Sequence, residues 1–226
     1  ELEISVSDEN GNLLDTALRR FGIRTIQIEK ECEGEKRFCF LLNGRRVFLK
    51  GANWVPVSNR LATASDSWYQ AILDRALSAH MNTLCIWGGG IYENPVFYDY
   101  CDEHGILVWQ YFMFACGEYP GYDPEYVENV REEVLWAVKT LASHACMALW
   151  IGNVEVPMIC QKIKLDREMY GKEMFAEQIP EWLHSIDPTA EYIESSPIGT
   201  GFYNSMDEGD RHNWDVWFSD LPYEEY

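Results

Sequence analysis

The sequence predicts an α/β protein built on a parallel sheet, with the last strands of a β-sandwich in front of it. Residues 1–28 alternate between polar and apolar side chains, as strands with one solvated face do. After them, short apolar runs alternate with amphipathic helices, which is typical of parallel strands covered on both faces. No apolar run approaches the roughly 20 residues of a membrane span. These observations indicate a globular α/β domain.

Two turn signals punctuate the β-rich start. Asn10-Gly11-Asn12 predicts a turn between the first strands. Asn43-Gly44 stands at the centre of FCFLLNGRRVFLKG and predicts a tight hairpin, because both residues tolerate the positive φ angles of that turn.

Five apolar runs predict the parallel strands, at 47–53, 83–87, 106–112, 147–153 and 192–196. Helix starts are predicted at Ser65, Asn94-Pro95 and Asp123-Pro124, and Gly105 ends the second helix. A further helix is predicted over about 167–185, interrupted near Pro180. The buried stripes are expected to be Trp68, Ile72, Ala76 and Leu77 on the first helix and Val127, Val130, Val134, Val138 and Leu141 on the third.

Polar residues and tryptophans follow the predicted strands, as Asn53-Trp54, Trp87, Trp109-Gln110, Asn153, Glu155 and Ser195-Ser196. In a closed α/β barrel the carboxyl ends of the strands build the active site. Five strands predict an incomplete (β/α)8 TIM barrel, with about the first five to six of its β/α units.

The charge is strongly acidic and unevenly distributed. The net charge is −19, from 18 basic and 37 acidic residues. Residues 1–50 contain nine of each sign, so the whole excess lies in residues 51–226. Such a surface repels nucleic acid and anionic membranes and is compatible with neutral substrates such as sugars. Solubility alone is the simpler explanation of the charge.

The sequence gives no sign of a cofactor or metal. GxGxxG is absent, and Gly88-Gly89-Gly90 lacks the surroundings of a phosphate loop. The polar loop at 207–212 crowds its possible ligands too closely for a metal site. The seven cysteines follow no pairing pattern, and several lie in apolar runs, which favours a reducing compartment such as the cytoplasm.

Glu155 is the sharpest catalytic candidate. It ends MALWIGNVE, an apolar strand that would carry a carboxylate to the mouth of the barrel. Burial beside apolar walls would raise the pKa of Glu155, as a general acid for glycoside cleavage requires. A solvated loop glutamate is the alternative.

Tryptophans form a second signal, because indole rings stack on the apolar faces of sugars. The candidates are Trp54, Trp87, Trp109, Trp150, Trp214 and Trp217. Ordinary core packing is the alternative, and it is favoured for Trp150.

Several motifs resemble, in order and spacing, the barrel of β-mannosidases in glycoside hydrolase family 2. They are NGRRVFLKGANWVP, MNTLCIWGGGIYENPVFYDYCDEHGILVWQYFMFA, SHACMALWIGNVE, ESSP and GDRHNWDVW. RFGIRTIQI resembles the end of the immunoglobulin-like domain that precedes that barrel. The resemblance implies an immunoglobulin-like β-sandwich ending over 1–30 and a partial catalytic barrel over 31–226.

The resemblance also implies a retaining exo-glycosidase that removes terminal β-D-mannose from oligosaccharides or glycoconjugates, with two carboxylates about 5–5.5 Å apart. Glu155 matches the acid/base, and Trp87 matches the tryptophan of the sugar subsite. Asn53 and Trp54 match the first-strand motif, Asn153 stands near the acid/base, and the mouth loop contributes Asp210, His212, Trp214 and Trp217. The nucleophile is expected beyond residue 226, so neither Glu224 nor Glu225 is a candidate for it. The chain is therefore expected to be an inactive fragment.

Three positions depart from the family pattern. Cys85, Tyr111 and Val154 stand where the family has Arg, Asp and Asn. An alignment shifted by one residue would instead place Asn153 at the last position. Each family residue is a polar group expected to touch sugar or orient a carboxylate. The departures favour a second hypothesis, a non-catalytic carbohydrate-binding or structural relative. A glycosidase for another β-linked hexose is a third.

Overall fold

The computed structural model describes residues 1–32, 35–164, 171–199, 201, 203–205, 209–214, 222 and 224. Its strands are β1 (Leu2–Ser7), β2 (Leu13–Arg19), β3 (Ile26–Cys32), β4 (Glu35–Leu42), β5 (Arg45–Val47), β6 (Gly51–Trp54), β7 (Thr83–Ile86), β8 (Leu107–Tyr111), β9 (Met147–Ile151) and β10 (Tyr192–Ile193). Its α-helices are α1 (Asp66–Ser78), α2 (Pro95–His104), α3 (Pro124–Leu141), α4 (Val156–Lys162) and α5 (Ile179–His184).

The first strands form two small antiparallel sheets. β1 and β2 pair across a turn at Gly11, whose φ is +82°. β3, β4 and β5 form a three-stranded sheet in that order. Asn43 and Gly44 have φ angles of 49° and 72° and join Leu42 to Arg45, so the predicted hairpin is confirmed. β3 runs through residue 30, where the sequence places the domain boundary.

The remaining five strands form one parallel sheet in sequential order, from β6 to β10. The predicted parallel α/β sheet is therefore confirmed. The connections after β6, β7 and β8 carry α1, α2 and α3, and the connection after β9 carries α4, a π-helical turn at Met174–Gln178 and α5. Because the order is sequential and all strands are parallel, their carboxyl ends lie along one edge of the sheet.

The two faces of this sheet have different partners. The helix face buries Leu84, Ile86, Val108 and Trp150 against helical side chains such as Leu73, Phe97 and Val134. The other face, which we call the inner face, carries Leu107, Tyr111, Leu149, Ile151 and Ile193. Ile26 and Phe40 from the three-stranded sheet pack on this inner face, and Phe40 stacks on Trp109 with ring centroids 5.3 Å apart.

The helices agree with the sequence at their ends. Asp123 accepts a hydrogen bond from the backbone N–H of Glu125 at 3.0 Å and so caps α3. Gly105 ends α2 with a φ of 70°, in the left-handed conformation that glycine favours. The π-helical turn Met174–Gln178 passes directly into α5 beside Pro180, so the regular α-helix is interrupted near Pro180 as predicted. The start of the predicted helix at 167–170 lies outside the described residues.

The predicted buried stripe of α1 is confirmed at Ala76 and wrong at Trp68, Ile72 and Leu77. Trp68 is 50% exposed, and Ile72 and Leu77 are each 36% exposed. The buried residues are Tyr69, Leu73 and Ala76, which have the same helical spacing. Tyr69 turns inward because its hydroxyl donates to Glu93 and its ring stacks on Trp54. On α3 the stripe is confirmed at Val130, Val134, Val138 and Leu141, with Val127 partly buried.

None of the helices in the described part of the chain combines the length and the apolar character needed to cross a bilayer.

Candidate active site at the carboxyl edge of the sheet

Glu155 lies at the carboxyl edge of the sheet, four residues after β9 ends, and is only 8% exposed. Its backbone is clamped on one side because its N–H donates to the carbonyl of Ser196 at 2.9 Å. Its φ is +61°, an uncommon value for a residue with a side chain, and such strained positions cluster at functional sites.

Both carboxylate oxygens of Glu155 have partners. Oε1 lies 2.7 Å from Nδ1 of His212. Oε2 accepts a weak hydrogen bond from the thiol of Cys116, with Sγ 3.7 Å away. The Glu155 side chain is 11% exposed and that of His212 is 23% exposed, so water screens this pair only partly.

The expected rise in the pKa of Glu155 is wrong. The hydrogen bond with His212 lowers the pKa of Glu155 and outweighs burial, which acts in the opposite direction. His212 comes 57 residues later in the chain, so the sequence around Glu155 indicates its burial and not this partner. In the resting site the carboxylate form of Glu155 is therefore favoured.

The mouth loop extends this contact into a chain of four groups. Nε2 of His212 lies 3.0 Å from the Ser196 hydroxyl, which is also hydrogen-bonded to Oδ2 of Asp210. Oδ1 of Asp210 accepts the backbone N–H of Ile198 at 3.0 Å. Burial raises the pKa of Asp210, although its hydrogen bond with Ser196 acts in the opposite direction. The structure thus joins Glu155, His212, Ser196 and Asp210.

Asn153 is fully buried, and its side chain serves the backbone of the site. Its amide nitrogen donates to the carbonyl of Glu194 at 2.7 Å. Its amide oxygen accepts from the backbone N–H of Val156 at 3.2 Å and from the Ser195 hydroxyl at 2.9 Å. These bonds hold the β9–α4 turn against the end of β10 and so position Glu155.

The three departures from the family pattern lie on or beside the inner face. Tyr111 and Val154 are 3% and 5% exposed, and Cys85 packs against the same apolar cluster. Burial raises the pKa of Cys85 to about 12 and raises that of Tyr111 as well, so both groups are neutral at physiological pH. Asp210 contributes to both shifts, which places these groups near the four-membered chain.

The other predicted residues are dispersed. Trp87 follows β7, is 37% exposed and packs against Gly89, where an added Cβ would lie 2.3 Å from the indole ring. Asn53 is exposed on β6, beside Cys85 on β7. Trp54 is buried on the helix face, and its indole N–H donates to Glu93 at 2.9 Å. Its ring is therefore not accessible to a sugar.

The remaining tryptophan candidates are Trp150, Trp214 and Trp217. Trp214 is 43% exposed, and Trp150 is buried and stacked on Phe112. Trp217 lies outside the described residues, as do positions 206–208 of the mouth loop.

Sequence reasoning missed two partners of the site. Cys116 stands five residues after β8 and Ser196 three residues after β10, which are the strand-end positions where site residues were expected. The sequence indicates the strand-end position of Ser196 but not its partner, and the apolar surroundings of the cysteines indicate packing alone. Their roles depend on Glu155 and His212, which only the fold brings to them.

One described cluster could supply metal ligands. The ligand atoms of Asp102, His144 and Cys146 lie within 4.8 Å of one another. The Asp102 carboxylate is already bonded to His144 Nδ1 and to the Cys146 N–H, each at 2.7 Å. This cluster precedes β9, at the opposite edge of the sheet from Glu155.

No family model matches the chain. Among curated proteins, β-mannosidase B of Neosartorya fischeri is 32% identical over 96% of the chain and 27% of its own length. The β-mannosidase of Rattus norvegicus is 38% identical over 88% of the chain and 23% of its own length. The chain is homologous to the β-mannosidases. This agrees with its resemblance to glycoside hydrolase family 2, and the chain spans about a quarter of the length of these relatives.

Solved structures agree with this assignment. The β-D-mannosidase of Dictyoglomus thermophilum has a TM-score of 0.89 and 41% identity, covering 95% of the chain and 27% of that protein. The β-glucuronidase of Parabacteroides merdae has a TM-score of 0.66 over 84% of the chain and 22% of that protein, and its 19% identity indicates a shared fold alone.

Proposed function

We propose that the full-length protein is a retaining exo-β-mannosidase in which Glu155 is the general acid/base. The observation that carries this proposal is a buried carboxylate at the carboxyl edge of a parallel sheet, with one oxygen held by His212. Homology to β-mannosidases at 32–38% identity supports the reaction class. The substrates would be terminal β-D-mannosides of oligosaccharides or glycoconjugates.

We infer that the five-stranded sheet is the first part of a (β/α)8 TIM barrel, which the rest of the protein closes. The sequential parallel order and the helices packed on one face support this. The buried indole N–H of Trp109 on the inner face also supports it, because this N–H has no hydrogen-bond partner among the described residues. A closing strand would supply an acceptor.

We also place the end of the preceding β-sandwich between β2 and β3, a few residues before position 30. β3 pairs with β4, and Ile26 packs on the inner face of the parallel sheet. β1 and β2 pair only with each other among the described strands. β3 therefore belongs structurally with the catalytic domain.

The reaction needs Glu155 in both protonation states. As an acid it protonates the glycosidic oxygen that leaves, and as a base it then activates the water that hydrolyses the mannosyl-enzyme. The hydrogen bond with His212 favours the carboxylate, which suits the second step. The nucleophile would come from beyond residue 226. Asp210 is a poor candidate for that role, because its oxygens are bonded to Ser196 and Ile198.

The sugar subsite would lie between Glu155 and the exposed indole of Trp87. Trp87 offers a ring for the apolar face of mannose, and Asn53 and Trp214 are also exposed. His212 and Asp210 contact Glu155 directly and through Ser196, so we assign them to the acid/base machinery rather than to sugar binding.

The test is hydrolysis of p-nitrophenyl β-D-mannoside by the full-length protein, beside Glu155→Gln. We expect cleavage by the wild type and a loss of roughly a hundredfold or more in the variant. Glu181→Gln, the same change at an exposed glutamate on α5, is the matched control and should keep its activity. Equal activity in wild type and Glu155→Gln would remove Glu155 from the mechanism.

Cys85, Tyr111 and Val154 favour a second candidate function, a carbohydrate-binding relative without hydrolysis. These residues leave neutral or apolar groups where the family places polar ones. A full-length protein that binds mannoside in calorimetry but releases no p-nitrophenol would support this candidate. Faster cleavage of the β-glucoside or β-galactoside would instead support a glycosidase for another β-linked hexose.

A further inference from the structure

The four groups that end at Glu155 form an unbroken hydrogen-bonded chain into the interior. Glu155 Oε1 meets His212 Nδ1 at 2.7 Å, and His212 Nε2 meets the Ser196 hydroxyl at 3.0 Å. The Ser196 hydroxyl bonds in turn to Asp210. Ser196 is 1% exposed, so bulk water does not compete for its single proton. The neutral Tyr111 hydroxyl also bonds to Ser196, and it can donate to Ser196 Oγ in either state of the chain because a hydroxyl oxygen accepts more than one hydrogen bond.

Each of the middle groups can carry only one proton between its neighbours when His212 is neutral. A neutral imidazole has one N–H and one lone pair, and a hydroxyl donates one hydrogen bond while accepting others. If Asp210 is protonated, it donates to Ser196, Ser196 donates to Nε2, and Nδ1–H donates to the Glu155 carboxylate. If Asp210 is ionised, every hydrogen bond reverses and Glu155 carries the proton.

We propose that Asp210, Ser196 and His212 form a proton relay in which Asp210 stores the proton that Glu155 delivers to the leaving group. The proposal rests on the proposed acid/base role of Glu155. In the transfer, Asp210 gives a proton to Ser196 Oγ, Ser196 gives its own to His212 Nε2, and His212 gives the Nδ1 proton to Glu155 Oε1. Asp210 loses one proton and Glu155 gains one, and the new Oε1–H then turns from Nδ1 to the glycosidic oxygen, so no other reactant is consumed.

The electrostatics support the resting arrangement with the proton on Asp210. Burial raises the pKa of Asp210, whereas the hydrogen bond with His212 lowers that of Glu155. The titratable groups around Glu155 are His212, Cys116, Lys162 on α4 and Tyr111, and Lys162 favours its carboxylate too. Cys85 and Tyr111 also lie near Asp210, and their burial keeps both neutral at physiological pH.

The relay resolves the conflict between the two steps of the reaction. Glu155 is ionised at rest and would be a poor acid alone, but the proton on Asp210, with Ser196 and His212 between them, can reach it without entry of water. After the leaving group has taken that proton, Glu155 is again a carboxylate and can act as base. Asp210, Ser196 and His212 are thus positioning residues, because they act through Glu155.

The test compares phenyl and dinitrophenyl β-D-mannosides in the full-length protein. Phenolate needs a proton to leave and dinitrophenolate does not, so only the first substrate depends on the relay. We expect Asp210→Asn and Ser196→Ala each to lower kcat/KM for the phenyl substrate roughly tenfold to a hundredfold at neutral pH. The dinitrophenyl substrate should change little, the double variant should be no worse than either single one, and Ser196→Thr should restore activity.

The pH profile gives a readout that a structural role would not produce. Asp210→Asn should move the basic limb of kcat/KM for the phenyl substrate to lower pH, since Glu155 then titrates at its own lowered pKa. His212→Phe should move that limb to higher pH, since burial, which raises the pKa of Glu155, is then the largest influence on it, ahead of Cys116 and Lys162. Movement in the same direction for both variants would overturn the relay.

Ser195→Ala is the matched control, because it removes a buried hydroxyl that bonds to Asn153 rather than to His212. Its effect, whatever its size, should be the same for both substrates. Equal losses on both substrates in Asp210→Asn would also overturn the relay. Failure of the relay, seen as equal losses on both substrates, is distinct from failure of the proposed function, which would leave Glu155→Gln fully active on the phenyl substrate.

Discussion

Two carboxylate–histidine pairs stand at opposite ends of β9, and they differ in what else each carboxylate touches. Before β9, Asp102 on α2 bonds to His144 at 2.7 Å and accepts the Cys146 N–H at 2.7 Å. After β9, Glu155 bonds to His212 at 2.7 Å, and its other oxygen has only a thiol at 3.7 Å. Asp102 is held by two strong donors, whereas the second oxygen of Glu155 has only a weak thiol donor.

A carboxylate bonded to a histidine is therefore not enough to identify a catalytic group. In both pairs the carboxylate form is favoured. Burial alone would raise the pKa of Asp102, but hydrogen bonds from His144 and Cys146 lower it. The pKa of Glu155 is lowered chiefly by His212. The weakly bonded oxygen and the position at the carboxyl edge distinguish Glu155, the proposed acid/base, from Asp102, which fixes the start of β9.

The largest expected contrast comes from neutralising each carboxylate in the full-length protein. Glu155→Gln should lower kcat/KM for phenyl β-D-mannoside by roughly 10²–10⁴-fold with little change in melting temperature. Asp102→Ala should lower the free energy of unfolding by about 1–3 kcal/mol, because it strands the Cys146 N–H, and should leave kcat/KM near the wild-type value. Steady-state kinetics and thermal unfolding of both variants would show whether one loses activity and the other stability. A large catalytic loss in Asp102→Ala would contradict a purely structural role for Asp102.

The second contrast concerns how Trp87 is held at the reactive end. A Cβ at Gly89 would lie 2.3 Å from the indole ring, so Gly89→Ala should displace the ring. We expect KM for a mannoside to rise roughly tenfold, about 1.4 kcal/mol of binding, with kcat less affected. Gly105→Ala, at a position where the Cβ would meet nothing within 4 Å, adds only backbone strain and should not change KM. An unchanged KM in Gly89→Ala would contradict a role for Trp87 in binding the sugar.

Acid should weaken the stabilising bonds of Asp102 to His144 and Cys146. Because the pKa of Asp102 is lowered in the folded protein, its ionisation stabilises the fold above the ordinary carboxylate pKa and this contribution is lost as the pH falls through the lowered value. The unfolding midpoint of the wild type should therefore approach that of Asp102→Asn between about pH 5 and about pH 2. Urea titrations of both proteins at several pH values would measure this, and a constant gap would contradict it.

The smallest expected effect comes from the thiol that touches Glu155. Cys116→Ala removes a weak donor, worth about 0.5 kcal/mol, so kcat/KM should change about two- to threefold. Cys160→Ala, at a buried thiol on α4, is a control for cysteine removal as such. A hundredfold loss in Cys116→Ala, measured with phenyl β-D-mannoside, would mean that the thiol plays a larger part than its distance from Glu155 suggests.

The sequence was sufficient for the parallel sheet and for the position of Glu155. Continuous apolar runs, Pro at helix starts and Gly105 at a helix end are local signals, and the carboxyl edge follows from parallel strands. The inward stripe of α1 was predicted wrongly, because residues 68–77 contain two overlapping apolar stripes and only the contact of Tyr69 with Glu93 decides between them.

The surroundings of Glu155 depend on contacts between residues far apart in sequence. Ser196 and His212 reach Glu155 across 41 and 57 residues of chain, through loops whose course no periodicity describes. The direction of the Glu155 pKa depends on this one partner, so it was predicted wrongly. The buried role of Asn153 likewise depends on the end of β10, where Glu194 and Ser195 bond to its side chain.

The most direct test of Glu155 as acid/base is azide rescue of Glu155→Ala in the full-length protein with dinitrophenyl β-D-mannoside. The activated phenol leaves without a proton, so the mannosyl-enzyme should form and then wait for a base. Azide needs no base, and we expect it to restore turnover and to give β-mannosyl azide, identified by NMR. No rescue, or α-mannosyl azide as the product, would contradict a retaining mechanism in which Glu155 is the acid/base.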